Sequence, residues 1–290
     1  FPKALDNYTK SLQIFRQIED KNGEAMVLNN FGLFYFSQGD YSTSLEHYQK
    51  ALEIHKSNES KRNIASTLNN IGIIYYYVGK YAESESRYLE AFNINSELGT
   101  LKEKLGNEIN LAFIYLYGNQ LEKAKDLFTL SLEESKKSFD TSNISYCYLG
   151  LGQTALESNN LELSKNYFIQ SIEVNPIASV DELIEPYTWL ALINTKTNHK
   201  EETVNYLSKI EDLIKSNPDF EGEPSEYWNL WQVYTYLGNK ETASTFLEKA
   251  KNNIETSAQK IKDEDLRNSY RNNVKVNNLV LSAWEQQKKM

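Results

Sequence analysis

Leu28–Leu52 reads LNNFGLFYFSQGDYSTSLEHYQKAL, and Leu68–Phe92 reads LNNIGIIYYYVGKYAESESRYLEAF. The two stretches lie forty residues apart, with Leu, Asn, Asn, Gly, Tyr, Gly, Tyr, Ser, Tyr and Ala in register. Taking Gly32 as a marker, equivalent positions follow at Gly72, Ala112, Gly152, Ala191 and Trp231. Twelve residues after each marker stands Ser44, Ser84, Ala124, Ser164, Thr203 or Ala243, and four further on Tyr48, Tyr88, Phe128, Phe168, Leu207 or Leu247. Three further again are Ala51, Ala91, Ser131, Ser171, Ile210 and Ala250, and Ala4, Tyr8 and Ser11 repeat this second half once more near the start. A repeat of this length constrains the fold more than composition does. A unit of forty residues cannot bury its own apolar face and must stack on its neighbours.

Offsets of three and four place side chains on one face of a helix, so the small–large–small series marks the buried stripe of a second helix. A small marker lets a first helix approach that stripe closely. Seven residues past each marker sits Gly39, Gly79, Asn119, Asn159, Asn198 or Gly238, residue types that accept a left-handed backbone at a helix C-terminus. Each repeat therefore reads as helix, tight turn, helix. Only five prolines occur and none lies between Lys3 and Asn175, which favours helix throughout. The chain reads as all-α. Residues 1–22 form the second half of a repeat, residues 23–255 hold six repeats starting near 23, 63, 103, 143, 182 and 224, and residues 256–290 read as a C-terminal capping helix. Asp181–Pro186 and Asn217–Pro224 read as irregular connectors.

The series Gly32/Tyr35/Ser44/Tyr48/Ala51 and Gly72/Tyr75/Ser84/Tyr88/Ala91 resembles the tetratricopeptide repeat family, as does the closing Pro176. The extra residues per repeat resemble kinesin light chain-like and bacterial signalling-protein arrays. The resemblance covers residues 2 to 255 and implies a right-handed superhelical solenoid of antiparallel helix pairs. Ala155, Asn194 and Trp231 depart from the family pattern. The string IKDEDLRNSYRNN is also similar to segments that close such arrays in large bacterial signalling proteins.

Chemistry-bearing constellations are sparse. His47 and His55 stand two turns apart, too far to share a metal, and His199 falls in a turn, so all three read as solvated histidines. Cys147, the one cysteine, reads as a packed core thiol. No phosphate loop, dinucleotide fingerprint, nucleophile elbow or His-Glu-x-x-His occurs, so the reading is of a non-enzyme with no cofactor and no metal. A net charge of −9 argues against nucleic acid, and no apolar run is long enough for membrane insertion. A single cysteine fits a reducing, cytoplasmic setting. A chain opening on Phe1 reads as a piece of something longer.

In the family, the first helix of each repeat lines the inside of the superhelix. Carried onto this chain, that face holds Asn29, Asn30, Leu33, Phe36, Asn69, Asn70, Ile73, Tyr76, Tyr77, Asn110, Phe113 and Tyr117. Asparagine stands two residues before the marker at Asn30, Asn70, Asn110 and Asn229, and its side chain both donates and accepts. Two readings of that ladder stay open: clamps for a peptide backbone, or bonds to neighbouring helices. The lysines and arginine with which family members grip an acidic C-terminus are missing, since Leu33, Gly106 and Asn110 stand there. The expected function is a protein–protein interaction scaffold that holds an extended peptide or partner helix. The alternatives are a sensor segment of a larger signalling enzyme, of cyclase or kinase type, and a structural spacer.

Overall fold

A computed structural model describes residues 2–176, 178–218 and 220–288. The described chain is all-helical. Its elements are α1 (Pro2–Gln17), α2 (Lys21–Ser37), α3 (Tyr41–Ser57), α4 (Lys61–Tyr77), α5 (Tyr81–Leu98), α6 (Leu101–Tyr117), α7 (Leu121–Lys137) and α8 (Thr141–Glu157). There follow α9 (Leu161–Val174), α10 (Val180–Lys196), α11 (Lys200–Ser216), α12 (Pro224–Tyr236), α13 (Lys240–Lys260), α14 (Glu264–Asn272) and α15 (Lys275–Gln287). Two units share these helices: residues up to 114 with 256–274, and residues 115–255 with 275 onward.

One backbone device makes most of the turns. At the end of α2, Gly39 donates to the Phe36 carbonyl at 2.9 Å and Asp40 to the Tyr35 carbonyl at 3.0 Å, closing a Schellman motif with Gly39 at φ +72°. Asp40 is at once the end of that motif and the N-cap of α3, its carboxylate accepting from the Thr43 amide at 3.0 Å. The same geometry recurs at Gly79, Asn119, Asn159, Asn198 and Gly238, all with positive φ as their residue types imply. It also recurs between repeats, at Glu19, Glu59, Gly99 and Phe139, where the sequence reading placed no left-handed residue.

Packing explains the marker. A methyl on Gly32 would stand 2.7 Å from the Tyr48 ring, one on Gly72 2.7 Å from Tyr88, and one on Gly152 2.7 Å from Phe168. The large residue of the second helix therefore sits in a socket that only a missing side chain provides. The serine between them adds a bond: Ser44, Ser84 and Ser164 hydroxyls donate to the Gly32, Gly72 and Gly152 carbonyls at 2.6–2.7 Å. Cys147 is fully buried in α8.

Three expectations need correcting. Asp181–Pro186 is not a connector, because a Ser179–Glu182 capping box starts α10 at Val180 and the helix runs through Pro186. The segment after 256 is not one helix. Asp263 caps α14, and α15 follows separately, packing on α12. The histidines are not all solvated either. His55 is fully buried, and His47 packs against the rings of both Phe31 and Tyr35 at centroid distances of 5.0 and 5.4 Å. Burial lowers the pKa of both. Only His199 is exposed.

Within the first unit, the 256–274 segment lies along the turns after α2 and α4. Lys260 donates to the Gln38 carbonyl at 2.7 Å, Lys262 to the Thr43 hydroxyl at 3.0 Å, and the Asp263 amide to the Ser42 hydroxyl at 3.1 Å. Lys80 pairs with Asp265, and Tyr41 meets Tyr270 at a centroid distance of 6.1 Å.

Candidate functional site

The twelve expected site residues all fall on first helices of their pairs, α2, α4 and α6. Eleven belong to the first unit and Tyr117 to the second. Their positions follow from the repeat. Since the marker glycine faces the second helix, residues one and two positions away on either side turn toward other surfaces.

The asparagines divide by role. Asn29 is bound on both sides: Thr67 donates to its Oδ1 at 3.1 Å and its Nδ2 meets His55 Nε2 at 3.1 Å. Asn69 accepts from Asn107 at 2.9 Å and from Asn110 at 3.1 Å, while Asn107 in turn accepts from Asn95 at 2.8 Å. Asn95 and Asn107 are buried, so this ladder joins α4, α5 and α6 from within. Asn229 is 1% exposed and donates to Thr188 at 3.3 Å. Of the asparagines two residues before the marker, Asn110 and Asn229 bond neighbouring helices, and Asn29 and Asn69, one position earlier, do the same. Asn30 is exposed and Asn70 partly so, and no described residue bonds either side chain.

The apolar members divide likewise. Phe36 and Tyr77 meet edge to face at 5.2 Å, and both pack on Tyr41. They serve the helix contacts. Leu33 is 59% exposed and its neighbour on the same face, Met26, 61%. Ile73, Tyr76 and Phe113 are partly exposed, Tyr76 being braced by Tyr77 and Tyr81 at 5.5 and 6.4 Å. An aromatic ring held by neighbours and open on one side is suited to take an apolar side chain, because little rotamer entropy remains to be lost on contact.

Tyr117 leads to residues that the sequence reading passed over. Its hydroxyl donates to Gln153 Oε1 at 3.1 Å, and Gln153 Nε2 donates to Glu185 Oε1 at 2.8 Å. Trp189 Nε1 reaches the same oxygen at 3.4 Å. Burial raises the Glu185 pKa, with Glu223 adding to the rise, against the lowering by the bonds from Trp189 and Gln153. Burial and the charges of Glu182 and Glu185 raise the Tyr146 pKa. The repeat register itself reaches these positions: Tyr146 and Glu185 stand six residues before their markers, as Met26 does before Gly32. Taking Asp181–Pro186 for a connector hid Glu185.

Among the described residues no group of three or more His, Cys, Asp or Glu could hold a metal ion, and no helix is long and apolar enough to cross a membrane.

Models described as "Tetratricopeptide repeat" match residues 1–57, 23–97 and 145–177. Comparison with curated proteins gives no match. Among solved structures, aspartyl phosphate phosphatase F from Bacillus subtilis matches at TM-score 0.71 and 16% identity, over 96% of this chain and 74% of that one. The Rap conjugation gene regulator of the plasmid pLS20, in complex with the Phr* peptide, matches at TM-score 0.64 and 15% identity, over 90% and 75%. A putative kinesin light chain from Podosopora anserina with nearly identical TPR-like repeats matches at TM-score 0.52 and 11% identity, over 67% and 95%. At these identities the likeness is one of fold.

Proposed function

Because residues 1–97 and 145–177 carry tetratricopeptide repeats, we propose that the first-helix faces of α2, α4 and α6 hold an extended peptide and that the chain acts as a non-catalytic binding scaffold. The observation that carries this reading is the run of open groups on those faces. Met26, Asn30, Leu33, Asn70, Ile73, Tyr76 and Phe113 all retain exposure, and none is charged. Phe36, Tyr77, Asn29 and Asn69 serve the helix contacts, whereas Met26 and Leu33 leave more than half of their surface open. Asn30 and Asn70 have donor and acceptor to spare for a backbone amide, whereas the Asn110 amide is tied to Asn69. A solved relative in fold, the pLS20 Rap regulator, is seen with a bound peptide, which supports the same kind of ligand here.

Peptides selected from a random library against the intact chain provide the probe. Tyr76→Ala with Phe113→Ala should weaken such a peptide by at least about 2 kcal/mol, roughly thirtyfold, with helicity unchanged because both rings keep one open side. Binding should change little with added salt, since charged contacts are few. Equal affinity in the parent and the double variant would exclude this face.

A further inference from the structure

The segment 261–274 has its own hold on the first unit. α14 is nine residues long, separated from α13 at Ile261–Asp263 and from α15 at Asn273–Val274. A helix of that length is not stable alone in water, so α14 is helical only while it is docked. Docked and melted are therefore its two states. The docked seat is specific. Ile261, Leu266 and Tyr270 are buried and anchor it, and Lys262 pairs with Asp40 at 3.5 Å besides donating to Thr43. A methyl on Gly79 would stand 3.0 Å from Asn273 Cβ and 3.1 Å from the Val274 amide nitrogen, so backbone closes on backbone at that turn. Rings carry the contact onward. Tyr270 meets Tyr41 at 6.1 Å, Tyr41 meets Tyr77 at 6.0 Å and Phe36 at 5.7 Å, and Tyr77 meets Tyr76 edge to face at 5.5 Å. Tyr41 is 8% exposed, whereas Tyr76 is partly open on the candidate face. The ring chain thus runs from α14, through the first residue of α3, to the open side of α4, all within the first unit.

We propose that segment 261–274 is a strap that regulates the first-unit face: docked, it holds Tyr270, Tyr41 and Tyr77 in place and so fixes the Tyr76 ring where an apolar side chain of the peptide meets it. Closely packed rings do not move independently, so release of Tyr270 loosens Tyr41 and, through Tyr77, the brace on Tyr76. A ring already fixed loses less freedom when a ligand arrives, and peptide binding therefore favours the docked strap. The coupling is reciprocal: whatever factor the docked strap adds to peptide affinity, the bound peptide adds to docking. The strap itself touches the turns after α2 and α4 and leaves the face open. This regulation rests on the reading above in taking Tyr76 as a ligand contact.

Amide hydrogen exchange on the intact chain, with and without the library-selected peptide, reads the strap. In the free chain the α14 amides should be at least about tenfold less protected than those on the buried face of α4, because the strap opens alone. Saturating peptide should slow α14 exchange at least about fivefold. Leu266→Ala with Tyr270→Ala, which removes two anchors and no residue of the face, should weaken the peptide at least about fivefold. A further arm needs no ligand. A 3-fluorotyrosine at position 76 should give a fluorine resonance that shifts in the double variant, since the Tyr77 ring beside it is no longer braced. Protection of α14 equal to that of α4, α14 exchange unaltered by bound peptide, unchanged affinity in the double variant, or an unmoved fluorine resonance would overturn the coupling. If no peptide depends on Tyr76 and Phe113, the reading of the face fails in its own experiment. The free-chain exchange and the fluorine contrast then still decide whether strap and ring are linked.

Discussion

Gly72 and Gly106 both sit inside helices, yet alanine at each should move stability in opposite directions. At Gly72 the added methyl meets the Tyr88 ring at 2.7 Å, and Tyr88 is 2% exposed with nowhere to go, so Gly72→Ala should cost about 1–3 kcal/mol. At Gly106 nothing lies within 4 Å, and Gly106→Ala should gain up to about 1 kcal/mol through the lower entropy of the unfolded chain. Thermal melts of the two variants check the pair, and a shift of the same sign in both would contradict the packing described. The histidines add a pH dependence. His47 and His55 are held neutral by burial, with folded pKa below the ordinary 6.5, so the unfolded chain takes up protons first as pH falls. Their contribution is complete above about pH 6.5 and is lost as the pH drops from there through the folded values. Urea midpoints should therefore fall between pH 7.5 and 5.5, and His47→Phe, which keeps a ring against Phe31 and Tyr35, should flatten that fall. An unchanged slope would remove His47 from the account. At this scale the glycine socket is legible in the sequence because a small residue recurs every forty positions. The serine bonds are not, because Ala124 and Ala243 fill the same position without a hydroxyl. Nor is the left-handed backbone at Phe139, whose side chain is bulky and 87% exposed, since nothing in its residue type announces it.

Among the elements, α14 shows what periodicity alone misses. Its apolar face is readable from Leu266 and Tyr270, but the surface it covers, which includes Tyr41 and Lys80, lies 185 or more residues earlier in the chain. No local spacing encodes that distance. Tyr270 is 5% exposed and packs on Tyr41, and Tyr270→Ala should cost about 3 kcal/mol. Asp263→Ala, which removes the N-cap bond to the Leu266 amide, should cost about 1 kcal/mol. Chemical denaturation checks both, and wild-type stability in Tyr270→Ala would mean that α14 does not hold to the turns after α2 and α4. The start of α10 failed for a different reason. Pro186 removes an amide donor inside the helix, which argues for a break, but the Ser179–Glu182 capping box outweighs it by satisfying the first free amides.

For the molecule as a whole, the repeat fixes which helix faces are used for packing and which remain, and that division was open to reading from the marker outward. The fate of individual asparagines was not, because one side chain type serves both a buried ladder, as at Asn69 and Asn107, and an open face, as at Asn30 and Asn70. Only coordinates separate them. The central claim is that an extended peptide lies on the first-helix face of the first unit. A photo-crosslinking residue, p-benzoylphenylalanine, placed at Ser66 tests it most directly, since Ser66 is exposed on that face of α4, and the same residue at Leu89, exposed on the second helix α5, is the control. A library-selected peptide should be captured at position 66 and not at position 89. Capture at 89 with none at 66 would contradict the account.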